Sequence, residues 1–398
     1  MRSSIWREPG MRPLTVMTLT GFSGYAALLP VAPLWAVHGG AGAGGAGLVN
    51  GVLLLFTVLT QFLVPSALRR FGWATTLSVG LAMLGVPALL YGLSDALGPI
   101  LVVSALRGVG FGVLTVTGSA AVAALVAPER RGEAIGVYGL AVALPNLFLL
   151  AAAPWVAENL GFWVVFVVSA LPVAGIPAAR RLAAALPDDP PELPTGTVEG
   201  PRAAVYLPLL RPTLLLLSVT LAGGAAITFV PQMVSGDALA ATGLFVMGLV
   251  AALGRWRAGL LADRFGSQRF LWPLVLVTGV STALVGWSVR DPDATGATTF
   301  LVAAGLLGLA YGALQNLTLI VAFGSVSRRH HNAASAVWNV GFDAGTAMGS
   351  VAVGIIAEQT SFSTAFLVVA AVAVAVLPVA AYRPRPVAHP PDHRKATP

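Results

Sequence analysis

Long apolar segments separated by short polar breaks restrict what this chain can fold into. A helix that crosses a bilayer needs about 20 mostly apolar residues. The sequence is 57% hydrophobic and only 10% charged, whereas soluble domains carry roughly 25% charged residues. We therefore predict an all-α membrane protein with twelve transmembrane helices. The predicted spans are 13–37, 46–68, 73–93, 98–127, 132–157, 161–180, 209–234, 239–261, 269–289, 297–325, 332–357 and 362–382.

Only one of the breaks is long. It contains PDDPPELPTGTVEGPR, a run of proline and charged residues that cannot bury enough apolar surface to fold. The sequence therefore predicts an N-terminal six-helix bundle (1–180), a linker (181–208), a C-terminal six-helix bundle (209–382) and a tail (383–398). The first apolar run is longer than the roughly 7–15 residues of a signal-peptide core, which favours a spanning helix over a cleaved signal.

Arginines mark one side of the predicted bundle. The even-numbered segments end beside arginine pairs such as Arg69/Arg70 and Arg130/Arg131, whereas the opposite loops carry carboxylates and one arginine, Arg290. Basic loops remain in the cytoplasm. We therefore expect both termini and the linker to be cytoplasmic, in the cytoplasmic membrane of a bacterium. The net charge of +7 is explained by this topology, and we expect no nucleic-acid partner.

The two predicted bundles repeat each other. With a shift of 200 residues, 131–162 aligns without a gap with 331–362, and Tyr138 falls on Trp338. The RFG at 70–72 matches the RFG at 264–266 with a shift of 194. Parallel repeats of this kind are typical of secondary transporters, whose substrate site lies between the halves near the bilayer midplane.

Two motifs resemble those of the major facilitator superfamily. The segment GLLADRFGSQR (259–269) is similar to the family's loop between the eighth and ninth helices, written G-x-L-x-D-R-x-G-x-R, and RGVGFG (107–112) to its Arg-Gly segment in the fourth helix. The resemblance implies the superfamily's fold of two pseudo-symmetric six-helix bundles. Within the superfamily, the chain looks most like bacterial exporters of drugs and metabolites.

The resemblance also implies a cytoplasmic gate. In the family, the aspartate of the signature docks on the start of a helix in the other half. Here Asp263 would meet the start of the fifth segment, where Arg130 and Arg131 add positive charge. Arg264, Gly259 and Gly266 complete the signature. The first-half copy, PSALRRFGWAT (65–75), departs from the pattern because Arg69 occupies the acidic position.

Two ionisable residues lie deep inside the predicted spans, Arg107 in the fourth and Asp343 in the eleventh. A charge near the bilayer centre costs at least about 2.5–3.5 kcal/mol. The repeat places leucine at 307 and alanine at 143, so the scaffold does not require either charge. We predict that they interact across the halves, directly or through water or substrate, and that Asp343 is the proton site. A permanent polar pair that fixes helix packing is the alternative.

Other polar residues in the spans are candidates for substrate contact, although each could instead link helices. In the resembling family the first, fourth, seventh and tenth helices line the cavity. Arg255, in the eighth segment, is expected to snorkel to the membrane interface, with a place at the mouth of the cavity as the alternative. The candidates are Tyr25, Asn146, Gln232, Gln315, Asn316, Trp338 and Asn339, with Asn50 and Gln61 also inside spans.

Together these features predict a proton-driven transporter that exports a small amphiphilic organic molecule, such as a drug, natural product or metabolite. Two alternatives remain open. One is a transporter dedicated to a sugar, an amino-acid derivative or a metallophore, in either direction, and the other is a membrane sensor or structural protein that transports nothing. We expect a monomer in the lipid bilayer, with no enzymatic activity, metal or cofactor. The chain has no cysteine, so a thiolate metal site is excluded.

Overall fold

A computed structural model describes residues 5–126, 130–187, 202–291, 294–327 and 330–382. These residues form α-helices joined by short turns, with two short 3₁₀ helices at Ile5–Arg7 and Tyr91–Leu93. The α-helices are α1 (Met11–His38), α2 (Ala43–Leu90), α3 (Leu97–Leu125), α4 (Arg131–Leu160), α5 (Phe162–Val168), α6 (Leu171–Ala174), α7 (Ile176–Ala183), α8 (Arg202–Met233), α9 (Asp237–Phe265), α10 (Gln268–Ser288), α11 (Ala297–Gly324), α12 (His331–Gln359), α13 (Phe362–Ala375) and α14 (Leu377–Ala381).

Eleven helical stretches among the described residues are long and apolar enough to cross a membrane. One of them, Ala43–Leu93, contains two of the twelve predicted spans. Gly72 separates these two spans, because its backbone has φ 71° and ψ 175° and is not helical. A positive φ is readily adopted only by glycine. Gly266, which matches Gly72 in the repeat, ends α9 with φ 80°.

Proline residues interrupt the last segment of each half. Pro172 and Pro177 lie at the starts of α6 and α7, and Pro378 lies at the start of α14. Proline is tolerated in a first helical turn because that position needs no N–H donor. The sixth predicted span is therefore built from α5, α6 and α7, and the twelfth from α13 and α14.

The linker is shorter than predicted at both ends. Residues 181–183 still belong to α7, and α8 already begins at Arg202 rather than after 208. Alanine-rich sequence on both sides of the proline run favours helix, which continues beyond the strictly apolar residues. The centre of the predicted linker, 188–201, and the tail from 383 onward lie outside the described residues.

The two halves touch mainly along two pairs of helices, α2 with α12 and α4 with α9, and α8 makes smaller contacts with α1 and α2. We name the side where α1 and α8 begin the linker side. Close approach of the backbones occurs on the opposite side. A Cβ atom placed on Gly47 would lie 2.3 Å from the Ser350 carbonyl oxygen, and one on Gly354 would lie 2.5 Å from that of Ala43. Glycine at these positions allows α2 and α12 to pack backbone against backbone.

The linker side is open between the halves. Cβ atoms placed on Gly136 and Gly139 of α4 would meet nothing within 4 Å. Of the hydrogen bonds between the halves among the described residues, the one nearest the linker side joins Gln61 to Asp343. The halves are thus closed on one side and separated on the other, which is the arrangement of a cavity open to the linker side.

Candidate functional site

Asp343 lies at the deepest point of this opening, near the middle of α12. Its side chain is 5% exposed. Its Oδ2 accepts a hydrogen bond of 2.7 Å from Nε2 of Gln61, which belongs to the other half. The same Nε2 also contacts Thr115 Oγ1 of α3 at 3.4 Å. Asp343 is thus the one carboxylate buried within a span among the described residues, and its hydrogen bond joins the two halves.

Aromatic rings from both halves surround this carboxylate. In the N-terminal half, Tyr25 stacks on Phe111 with ring centroids 3.6 Å apart. In the C-terminal half, Phe342 packs between Tyr311 and Trp338, at 6.2 Å and 5.7 Å. Tyr25 and Tyr311 both lie within electrostatic range of Asp343. Such a lining is apolar enough to hold an organic molecule and polar enough to orient it.

The direct pairing predicted for Arg107 and Asp343 is not formed in this structure. Arg107 is completely buried inside the N-terminal half. Its Nη2 donates to the Gly24 carbonyl at 2.7 Å, its Nε donates to that of Leu84 at 3.2 Å, and its guanidinium lies over the Tyr91 ring. The carbonyl acceptors hold the guanidinium against α1 and α2, within electrostatic range of Tyr25. Arg107 therefore ties three helices of one half together.

Replacing Arg107 with leucine is expected to lower the thermal stability of the protein. The substitution removes two hydrogen bonds that the charged guanidinium donates, and bonds of this kind are each worth roughly 1.5–3 kcal/mol in proteins. Unfolding in detergent, followed by tryptophan fluorescence, should shift to a clearly lower temperature. Arg69→Leu is the control, because Arg69 is exposed and bonds only to Ser66 on its own helix. Equal melting temperatures for the two variants would contradict this assignment.

Several predicted cavity residues use their amide groups within their own helix. Asn146, Gln232 and Asn339 each donate to the carbonyl four residues earlier. Trp338 instead donates through Nε1 to Thr318 Oγ1 of α11 at 3.1 Å. Asn50 links three helices, because it donates to Leu29 and, across the halves, to Thr228. Asn50 thus fits the interhelical role better than substrate contact.

Arg255 of α9 packs against α11. Its Nη1 donates to Gln315 Oε1 of α11 at 3.3 Å, and its guanidinium lies within electrostatic range of Tyr311. Asn316 donates to the backbone carbonyl of Arg255 at 2.8 Å. Arg255 therefore lies beside two predicted cavity residues, which fits the alternative of a place at the cavity better than snorkelling.

The predicted gate contact of Asp263 is absent from this conformation. Asp263 and Arg264 are exposed, and Asp263 has no ion pair with any described side chain. Arg130 instead pairs with Glu8 and, at 3.2 Å, with Glu133, both in its own half. The side chain of Arg131 lies outside the described residues. Gly259 packs against Asn316, and Gly266 forms the turn after α9. The gate itself therefore stays a prediction for a conformation that is closed on this side.

Two membrane-spanning halves with a lined cavity between them define the class of membrane transporters. A sequence profile described as "Major Facilitator Superfamily" matches residues 14–292 and 258–398. The chain belongs to the major facilitator superfamily.

Individual relatives agree with this assignment. An uncharacterized MFS-type transporter of Mycobacterium tuberculosis, Rv1250, is 30% identical over 122 residues. That alignment covers 30% of this chain and 21% of the relative, so the chain spans only about a fifth of that protein.

Solved structures show the same fold. A bacterial homolog of the human lysosomal transporter Spinster, inward-facing and unoccupied, superposes with a TM-score of 0.75 at 14% identity, covering 95% of this chain and 97% of the other. The nucleoside transporter NupG gives a TM-score of 0.70 at 11% identity, covering 94% of this chain and 99% of the other. At these identities, the likeness concerns the fold alone.

Proposed function

We propose that this transporter exports a small amphiphilic organic molecule in exchange for protons, by alternating access, and that Asp343 carries the proton. The observation behind the proposal is the contact of Asp343 with Gln61. It joins a buried carboxylate of one half to an amide of the other, at the inner end of the cavity. A carboxylate in this position can change the attraction between the halves when it gains or loses its charge.

Protonation of Asp343 would weaken its contact with Gln61, and the cargo would bind beside the same contact. Ionised Asp343 is a strong acceptor for the Gln61 amide, because a hydrogen bond to a charged group is shorter and stronger than a neutral one. Protonated Asp343 binds that amide less tightly and frees the halves to move. With the positive-inside orientation, the linker side is cytoplasmic and this conformation is inward-facing. The aromatic rings around Asp343 favour a cargo with apolar surface.

A dedicated metabolite transporter, working in either direction, is the second candidate. The polar groups that point into the cavity from α9, α11 and α12 favour it, because a few placed polar groups give orientation and specificity. Expression in a drug-sensitive host separates the two candidates. Resistance to several unrelated compounds would support broad export, and resistance to none would support a single native substrate.

Substrate-induced proton movement tests the proposal. The purified protein is placed in liposomes that enclose a pH-sensitive dye, and three probes of matched size are added: 4-phenylbutylamine, 4-phenylbutyrate and 4-phenylbutanamide. We expect at least one probe to cause a larger pH change than the one that its own permeation causes in protein-free liposomes. Counterflow of a radiolabelled probe, measured in parallel, detects transport without protons. Counterflow without proton movement would overturn the coupling, and the absence of both would overturn the function.

A further inference from the structure

The internal repeat gives Gln61 a counterpart in the second half. The shift of 194 residues that aligns the RFG at 70–72 with 264–266 places Gln61 on Arg255. The shift of 200 places Thr115 on Gln315. Gln61 contacts Thr115 at 3.4 Å, and Arg255 contacts Gln315 at 3.3 Å. Gln61 and Arg255 thus occupy equivalent places in the two halves. Gln61 joins α2 to α3, and Arg255 joins the corresponding helices, α9 and α11.

The residue that lies opposite on the other half differs between Gln61 and Arg255. Gln61 reaches across the halves to Asp343 of α12. The residue equivalent to Asp343 is Ala143 of α4, and α4 is the helix that packs against α9. Contacts between Leu147 and Gly248 and between Phe148 and Phe245 show that α4 and α9 face each other. Where symmetry would place a carboxylate opposite Arg255, the chain has a methyl group.

Arg255 consequently lacks an acidic partner among the described residues. None of the ion pairs between them includes it. Arg255 is exposed and lies close to Gln315 and Tyr311 of α11. A charge inside a span is costly unless it faces a water-filled cavity or a partner. Arg107, the other arginine deep in a span, is fully buried and already bonded to carbonyls.

We propose that Arg255, Gln315 and Tyr311 form a subsite that binds an anionic group of the cargo, such as a carboxylate. The guanidinium supplies charge and directed N–H donors, which suit a planar carboxylate. The Tyr311 hydroxyl and the Gln315 amide add neutral donors. This subsite deepens the proposed function and rests on it, because it names an organic acid or a zwitterion as the class of cargo.

Binding of the three phenylbutyl probes to the full-length protein in nanodiscs tests this subsite without requiring transport. Trp338 is one of nine tryptophans and belongs to the aromatic lining, so the change in total tryptophan fluorescence on addition of a probe reports occupancy. We expect the wild type to bind 4-phenylbutyrate more tightly than 4-phenylbutanamide. Arg255→Gln should weaken the binding of 4-phenylbutyrate about 10- to 100-fold, which corresponds to the loss of one hydrogen bond to a charged group. The same variant should change amide binding by less than about threefold, and Arg255→Lys should retain part of the preference.

Arg257→Gln is the matched control. Arg257 lies two residues further along α9, and its guanidinium stacks over Trp256 away from the cavity lining. Arg257→Gln changes the net charge by the same amount as Arg255→Gln. Because Arg257 is not part of the subsite, its removal should leave the preference for the carboxylate probe intact. Equal affinity of the wild type for carboxylate and amide would overturn the subsite, as would an equal loss of both in Arg255→Gln. Because binding is measured, the subsite can stand even if proton coupling fails, and it can fall while transport is confirmed.

Discussion

Asp343→Asn is expected to abolish substrate-induced proton movement in proteoliposomes, reducing it to the level of protein-free liposomes. Asparagine has nearly the shape of aspartic acid, retains an oxygen that can accept from Gln61, and cannot exchange a proton. It therefore fixes the side chain in a neutral state similar to that of the protonated acid. Exchange of labelled for unlabelled probe, which needs no net proton transfer, should continue in this variant and should no longer depend on pH.

Two comparisons make this result specific. Asp95→Asn removes a carboxylate from the loop between α2 and α3, where Asp95 lies near His38, and it should leave proton movement unchanged. Continued exchange by Asp343→Asn demonstrates that the variant is folded and inserted. If Asp343→Asn moves protons as the wild type does, Asp343 is not the proton site.

Gly47→Leu is expected to trap the protein with the side opposite the linker open. A leucine side chain cannot fit where a Cβ atom would already lie 2.3 Å from the Ser350 carbonyl oxygen. Overpacking of this kind costs roughly 1–3 kcal/mol, and it acts only on the conformation in which α2 and α12 are in contact. An equilibrium between two conformations should shift by roughly 5- to 150-fold, and the transport rate should fall accordingly.

Single-cysteine labelling can measure this shift, because the sequence contains no cysteine. Thr228→Cys, buried at the contact with Asn50, should react about tenfold faster with a membrane-impermeant maleimide in the Gly47→Leu background. Gly136→Cys, on the open linker side, should become protected. Gly98→Leu is the control, since a Cβ atom there meets nothing within 4 Å. Unchanged labelling at both cysteines would show that this contact does not control the conformation.

The overall fold could be predicted from the sequence because bilayer thickness and hydropathy constrain it strongly. Each of the twelve predicted spans corresponds to helix in the structure, and the proline-rich run falls between α7 and α8. The boundaries differ at 181–183 and 202–208, among other places, where helix continues through alanine-rich sequence next to the proline run. Bilayer length determines how many apolar residues a span needs, but it does not determine where a helix ends outside the membrane.

The arrangement of the site was less predictable. Asp343 was found from its isolation in an apolar span, and its burial between the halves agrees with the depth that was expected. Of the predicted ways in which Arg107 and Asp343 interact, the direct contact is not formed in this conformation, because depth in the membrane does not specify which face of a helix a residue occupies. Each residue advances about 100° around a helix, so Arg107 turns into its own half while Gln61 faces the other half. The two repeat shifts align Thr115 with Gln315 and Gln61 with Arg255. Combining them would have indicated that the two pairs occupy equivalent places in the two halves.

The backbone contact of α2 with α12 has a further consequence for how the protein would respond to its membrane. The seam consists of glycines and carbonyl oxygens where Gly47 meets Ser350 and Gly354 meets Ala43, and the Glu358 carboxylate packs against Gly42 and Gly44 at the start of α2. Close packing of the two backbones therefore contributes a large part of its strength. Lateral pressure from the surrounding lipids, which varies with chain length and headgroup, acts directly on such a seam. Bilayer composition should accordingly shift the resting balance between the two conformations.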